Sequence, residues 1–281
     1  MTTRLSNIIV LLIFGGFILF RTIFPAQEDD EISNTIFNLS IELVGGIILF
    51  AILQFLQNIK YLRFYFQTQL LYRGKDIRLS LAYLYRIKID NRYLLVKSSH
   101  RDYYQPVGGA YKTLPGSEGI FEKLCVKSDR LIETEKGIAK GDLRVIVKGI
   151  NVIEFLEWFD SNQDREISPW REFCEELIST DILPWKDFRF INYKFKGRIK
   201  TPILDLDSGD KGVFIFDIYD FIPNNDQLKI LENLLNLGDT NTHIWVDEYH
   251  INRLGHNEID KKYSYKIGQH TKWALNMEWS K

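Results

Sequence analysis

The residues best placed to do chemistry stand in one short string, Arg171-Glu172-Phe173-Cys174-Glu175-Glu176. Ser168 and Pro169 ahead of it supply an N-cap and a proline for the first helical position, so the spacing predicts a helix over 169–180. On that helix Glu172, Glu175 and Glu176 share a face. Three carboxylates on a rigid support form an oxygen-rich site of the kind that holds magnesium or manganese against phosphates. The same string also reads as a solvated acidic face, where like charges cost little.

A second group lies upstream in Ser98-Ser99-His100-Arg101-Asp102-Tyr103-Tyr104. His100 and Arg101 offer cationic or polar contacts to phosphate, and Tyr103 and Tyr104 offer ring faces for base stacking. The plainer alternative packs both tyrosines in the core and pairs Arg101 with Asp102. Gly108 and Gly109 follow closely and permit the backbone a tight excursion beside a ligand. Arg86, Arg198 and Lys200 are weaker candidates, because charges on strands usually point to water. His243, His250, His256 and His270 show no metal-ligand spacing and read as surface or packing histidines.

Positioning these groups requires a sheet with covering helices. Residues 78–89 alternate large apolar with polar side chains, Asp90-Asn91-Arg92 supplies a turn, and 93–96 continues as a partner strand, which is a hairpin pattern. Residues 186–200, 212–222 and 242–251 also have strand character. Helical periodicity marks 151–159, 169–180, 226–237 and 267–275. The expected class is α+β.

Composition sets the outer limits. The chain has 281 residues, 45% of them apolar, and a net charge of -1, which excludes a polycation that coats DNA or RNA polymers. Cys125 and Cys174 form no C-x-x-C pair, so a disulfide scaffold is excluded and a reducing compartment suits the chain.

The apolar residues are concentrated at the start. Residues 5–24 and 36–56 are each long enough to cross a hydrocarbon core of about 30 Å. Their connection, Gln27-Glu28-Asp29-Asp30-Glu31, is acidic, whereas Arg4 precedes the first run and Lys60, Arg63, Arg73, Lys75 and Arg78 follow the second. The positive-inside rule then expects a transmembrane hairpin with both termini cytoplasmic. Gly15-Gly16 and Gly45-Gly46 place glycine pairs near mid-membrane in both runs, where they allow close helix packing. Glu42 lies inside the second run and must be protonated, paired or facing a polar interior. The domain boundary is expected after an exit helix, giving segments 1–72 and 73–281.

The strand ending in Tyr93-Leu94-Leu95-Val96-Lys97, the Gln105-Pro106-Val107-Gly108-Gly109-Ala110 segment and the later Arg171-Glu172-Phe173-Cys174-Glu175-Glu176 helix together resemble the Nudix family. That family's signature runs G-x5-E-x7-R-E-U-x-E-E-x-G-U. Gly109 corresponds to the glycine region, and Arg171, Glu172, Glu175 and Glu176 to the helix core. The resemblance implies a Nudix-like mixed sheet and a metal-assisted phosphate site. About sixty residues separate Gly109 from Arg171, which implies a long insertion. Gln163 stands where the signature has its first glutamate, and Ile178 where it has its late glycine. These departures point away from hydrolysis.

A degenerate Nudix pattern behind two apolar runs resembles the SMODS-associated Nudix effectors of bacterial cyclic-oligonucleotide antiphage signalling (CBASS). That resemblance implies a domain that binds a cyclic di- or trinucleotide, with no cofactor needed for sensing, and that self-associates to damage the bilayer and abort infection. His100, Arg101, Tyr103, Tyr104, Gly108, Gly109, Arg171 and Glu172 are then the expected ligand contacts. Gly15, Gly16, Glu42, Gly45 and Gly46 would serve membrane assembly. The alternatives are a membrane-anchored hydrolase of a nucleoside diphosphate derivative, with magnesium on Glu172, Glu175 and Glu176, and a tethered protein-interaction module.

Overall fold

The computed structural model describes residues 22, 31–99, 101–130, 140–257 and 261–280. It divides into two compact units, Met1–Phe66 and Gln67–Lys281. Apart from Thr22, the first apolar run with Gly15 and Gly16, and the acidic connection up to Asp30, lie outside the described residues, as does His100.

In the first unit, the second apolar run belongs to α1 (Glu31–Phe66), a helix of 36 residues. Glu42 is exposed on it, and a Cβ added at Gly45 or Gly46 would meet nothing within 4 Å among the described residues. Among the described residues no helix is long and apolar enough to cross a membrane, and many side chains of the second run stand outside them.

The second unit opens with a π-helical turn, Gln67–Leu71, whose Gln69 Nε2 donates to Ile150 O at 3.1 Å. Along the chain come β1 (Asp76–Arg86), β2 (Lys88–Ile89), β3 (Arg92–Lys97), β4 (Tyr104–Gln105), β5 (Gly108–Ala110), α2 (Glu118–Lys123), β6 (Lys127–Ser128), β7 (Arg144–Lys148), α3 (Val152–Asp160), α4 (Trp170–Phe173) and α5 (Trp185–Phe188). They are followed by β8 (Asn192–Lys200), β9 (Leu204–Asp205), β10 (Lys211–Ile222), α6 (Asn225–Leu237), β11 (His243–Asp247), α7 (Glu248–Asn252), β12 (His256–Asn257), β13 (Lys262–Tyr263) and α8 (Gln269–Asn276).

The larger sheet has the order β6-β7-β1-β10-β8. β1 and β10 pair in parallel from Ile77↔Lys211 to Arg86↔Asp220, and the remaining pairings are antiparallel. β7 takes the first half of the other edge of β1, and β5 takes the second half through Ala82↔Ala110, Tyr83↔Gly109 and Leu84↔Gly108. Both faces of β1 are buried, as expected for a strand with helices on either side. Its odd-numbered face meets α3 and α4, where Tyr85 and Phe173 sit 5.5 Å apart between ring centres and Tyr111 and Phe159 5.2 Å apart. Its even-numbered face packs through Ala82, Leu84, Phe216 and Ile218 against Trp273 and Ala274 of α8. The domain is therefore a mixed-sheet sandwich.

Three expectations change. β1 is not the partner of β3, because β5, β7 and β10 occupy its edges; only Lys88 and Ile89 complete the hairpin, around Asp90 at φ +50°. The smaller sheet is β11-β3-β2, with β4 on β3. The run at 186–200 is extended only from Asn192, because Pro184 starts the short helix α5. β11 stops at Asp247, whose Oδ1 accepts from His250 N (2.9 Å) and thereby caps α7.

One ion pair is buried inside the larger sheet. Arg78 donates through Nε and Nη2 to the two carboxylate oxygens of Asp129 at 3.0 and 2.7 Å, with Asp129 shut off from solvent. Breaking such a pair leaves a desolvated charge. Asp129→Leu should therefore cost about 3–5 kcal/mol in denaturant unfolding of the full chain. A loss below about 1 kcal/mol, the value of an exposed pair, would contradict the burial.

Candidate functional site

The string Arg171–Glu176 sits over the odd-numbered face of the larger sheet. Ser168 Oγ accepts from Trp170 N (3.3 Å), and Phe173 anchors the segment among Tyr85, Phe188 and Phe221. The expected helix over 169–180 is α-helical only through Phe173. Cys174–Ile178 is a π turn, closed by Ser179 N donating to Cys174 O at 2.8 Å. Phe173 and Leu177, four residues apart, both reach the core, and the three carboxylates meet different surroundings. Glu175 faces solvent, Glu172 is mostly buried, and Glu176 turns inward, its Oε2 accepting from Gly108 N at 2.8 Å.

Arg171 lies among these acids. Its Nη1 donates to Glu172 Oε1 (2.6 Å) and Glu175 Oε2 (3.2 Å), and its Nη2 to Ala110 O (2.7 Å). Its Nε and Nη2 grip the two oxygens of Glu166, both at 3.1 Å. Glu166 is held in turn by Lys112, whose N donates to Glu166 Oε2 at 3.2 Å and whose O accepts from Glu166 N at 2.8 Å. Sequence reasoning missed Glu166, because the signature places its upstream glutamate at position 163, where exposed Gln163 stands. The signal that could have found it is the demand of a half-buried guanidinium for more than one carboxylate.

The charges follow this packing. Burial works against a charged Arg171, and the neighbouring Glu172, Tyr83 and Glu166 more than reverse that, raising its pKa. Burial pushes Glu172 above the usual carboxylate range, opposed by Arg171 and reinforced by Glu175 and Asp142. Burial pushes Glu176 up to about 8 against the pull of the Gly108 N–H. A divalent cation would need Glu172, Glu175 and Glu176 to converge, but a guanidinium already bridges two of them and a backbone amide holds the third. Among the described residues no group of three His, Cys, Asp or Glu side chains is gathered as a metal site.

Gly108 and Gly109 are strand residues rather than a ligand loop. Gly108 has φ +144°, and a Cβ there would lie 2.1 Å from Tyr83 O; a Cβ on Gly109 would lie 2.2 Å from Glu172 Oε1. The pair lets β5 lie flat on β1 while the acidic helix comes down onto it.

This mixed sheet, with Gly109 against Glu172 and Arg171 tied back to β5, coincides with a family match: the SMODS-associated NUDIX domain matches residues 76–275. The chain belongs to that family. No curated protein matches it.

In this SMODS-associated NUDIX domain the second predicted group is separate from the first. Tyr104 is committed to packing, its hydroxyl donating to Thr240 O (3.2 Å) and its ring lying 5.1 Å from the Lys97 ammonium. Asp102 pairs with Lys97 (2.5 Å) and Lys266 (2.6 Å) rather than with Arg101. Arg101 is exposed, and the ring of Tyr103 meets His270 at 5.9 Å. The structure therefore brings Gly108, Gly109, Arg171, Glu172 and Glu176 together and sets Arg101 and Tyr103 elsewhere. Of the weaker candidates, Arg86 is held by Asp220 (2.6 Å) and Arg198 by Asp217 (2.6 Å). Burial lowers Lys200 to about 8.

Two outcomes follow. Gly108→Ala should lower the melting temperature by about 6–12 °C, from roughly 3 kcal/mol of strain and clash; a change below about 2 °C would mean that the strand relaxes freely. Glu176 has a folded pKa above its unfolded one, so its stabilising contribution is complete below about 4.5 and is lost as pH rises towards about 8. Glu176→Gln mimics the protonated acid, and its melting temperature should gain steadily on the wild type between pH 5 and 8.5. A pH-independent difference would contradict the raised value.

Proposed function

We infer that the protein is a membrane effector of cyclic-nucleotide-activated antiphage defence, in which the NUDIX domain binds a cyclic di- or trinucleotide and does not hydrolyse it. The observation that carries this reading is the caging of Arg171. Its guanidinium lies between the carboxylates that hydrolysis would need for metal, while the fold that binds phosphorylated ligands is kept. Family membership supports the link to nucleotidyltransferase-based signalling. The two apolar runs and the acidic connection support a bilayer hairpin with the domain on the cytoplasmic side.

Ligand binding drives the response only if two association states differ in affinity for the messenger. The ligand then shifts the domains towards the associated state, the hairpins gather, and the inner membrane is breached. Glu42 and the Gly45-Gly46 face are the groups on α1 suited to a helix–helix contact, being exposed within their own unit.

The full chain in detergent should melt about 5–10 °C higher with a hundredfold excess of a cognate cyclic nucleotide over its Kd. Reconstituted in vesicles, it should release a trapped dye on addition of the same nucleotide. Glu42→Gln or Gly45→Leu should keep the thermal shift and lose the dye release. Magnesium-dependent product formation from a nucleoside diphosphate derivative would replace this reading with the hydrolase. Absence of any shift across cyclic and linear nucleotides would remove nucleotide sensing altogether.

A further inference from the structure

The β8 edge of the larger sheet carries a surface that the acidic site does not use. Residues 185–200, the run through α5 and β8, hold six cations and one acid in a chain whose net charge is -1. Arg198 is neutralised by Asp217 and Asp160. Lys186, Arg189, Lys194 and Lys196 are exposed and make no ion pair among the described residues. Large rings stand between them: Trp185 is 56% exposed, Phe190 79%, Tyr193 37% and Phe195 52%. Three of these rings are braced from behind. Tyr193 and Phe195 meet Tyr219 edge-on at 5.4 and 5.6 Å, and Trp185 lies 6.3 Å from Trp170. Aromatic surface and unneutralised positive charge therefore face water along one stretch of chain.

The strand itself disfavours two occupants. Among the described residues its outer edge pairs with no strand, but a second copy of β8 placed there would set lysine against lysine. An added strand from any other partner would meet a bulge, because Phe195 pairs with Tyr219 and Gly197 with Ile218, leaving Lys196 as the extra residue and Gly197 at φ +153°. Lysines and a bulge are the devices that keep an edge from pairing. They do not account for Phe190 and Phe195, since protection of an edge calls for charge and not for exposed rings. Cations interleaved with rings do match the headgroup layer of an anionic bilayer, where aromatic side chains enter the interface and ammonium and guanidinium groups stay among the phosphates.

The geometry points to an anionic lipid surface as the occupant of this strip. The contact is made by the NUDIX domain and not by the apolar runs, and it holds whether or not the domain senses a nucleotide.

Tryptophan fluorescence tests it, because the first 66 residues contain no tryptophan and Trp185 alone of the six is exposed. The full chain is reconstituted in bilayers of brominated phosphatidylglycerol with phosphatidylcholine, and in bilayers of brominated phosphatidylcholine alone. Quenching should be strong in the first and weak in the second, and added salt should reverse it. Trp185→Phe, which keeps a ring in place, should remove the quenching. Lys194→Gln combined with Lys196→Gln should lower the ratio of docked to free domain about 30-fold, roughly fivefold for each lysine lost. Both lysines are exposed, so that variant should melt as the wild type does. Equal quenching in the two bilayers, or quenching that survives Trp185→Phe, would overturn the proposal. So would an absence of quenching in either bilayer; salt-sensitive binding of polyglutamate, lost in the two-lysine variant, would then assign the strip to an acidic polypeptide.

Discussion

A guanidinium taken out of water has to be matched on every side that can donate, and the Arg171 cage meets that demand from separate parts of the chain. Glu166 comes from the connection ahead of α4, Ala110 O from the edge of β5, and Glu172 and Glu175 from the helical segment itself. Satisfying one charge therefore fixes the height of the acidic helix above the sheet and the position of β5. Gly108 and Gly109 make the approach sterically possible, and Glu176 on the Gly108 amide closes it from the other side.

The sheet acts as a partition between two chemistries. Its odd-numbered face carries the acids, with burial raising Glu172 and Glu176 above their ordinary range. Its even-numbered face carries the apolar core beneath α8, where the rings of Phe216 and Trp273 lie 6.1 Å apart. β1 is common to both, because Tyr83 points to the acids and accepts from Glu172 N (3.2 Å), while its neighbour Ala82 packs in the core with Phe216 and Trp273.

Much of the fold was legible in sequence. The alternation over 212–222 and the periodicities at 151–159 and 226–237 correspond to β10, α3 and α6, with Asn224 and Gln227 forming a capping box at the start of α6. The hairpin from 78 was misassigned, because local alternation cannot say that β1 pairs with a strand far along the chain and only β2 turns back. The site was half legible. Spacing found the acidic helix and its arginine, but the partners that separate the three carboxylates, Gly108 N for Glu176 and Arg171 for Glu172 and Glu175, are set by tertiary contacts and by a π turn that has no periodic signature. The role of Glu166 depends on contacts with distant segments.

The parallel pairing of β1 with β10 also sets a schedule for biosynthesis. Arg86 and Asp220 are joined across 134 residues of chain. At a translation rate of about 5–20 residues per second, the central strand waits roughly 7–27 s for its neighbour to leave the ribosome. During that interval the edge of β1 that β10 will cover stays unpaired, the condition under which an apolar strand is most prone to aggregate.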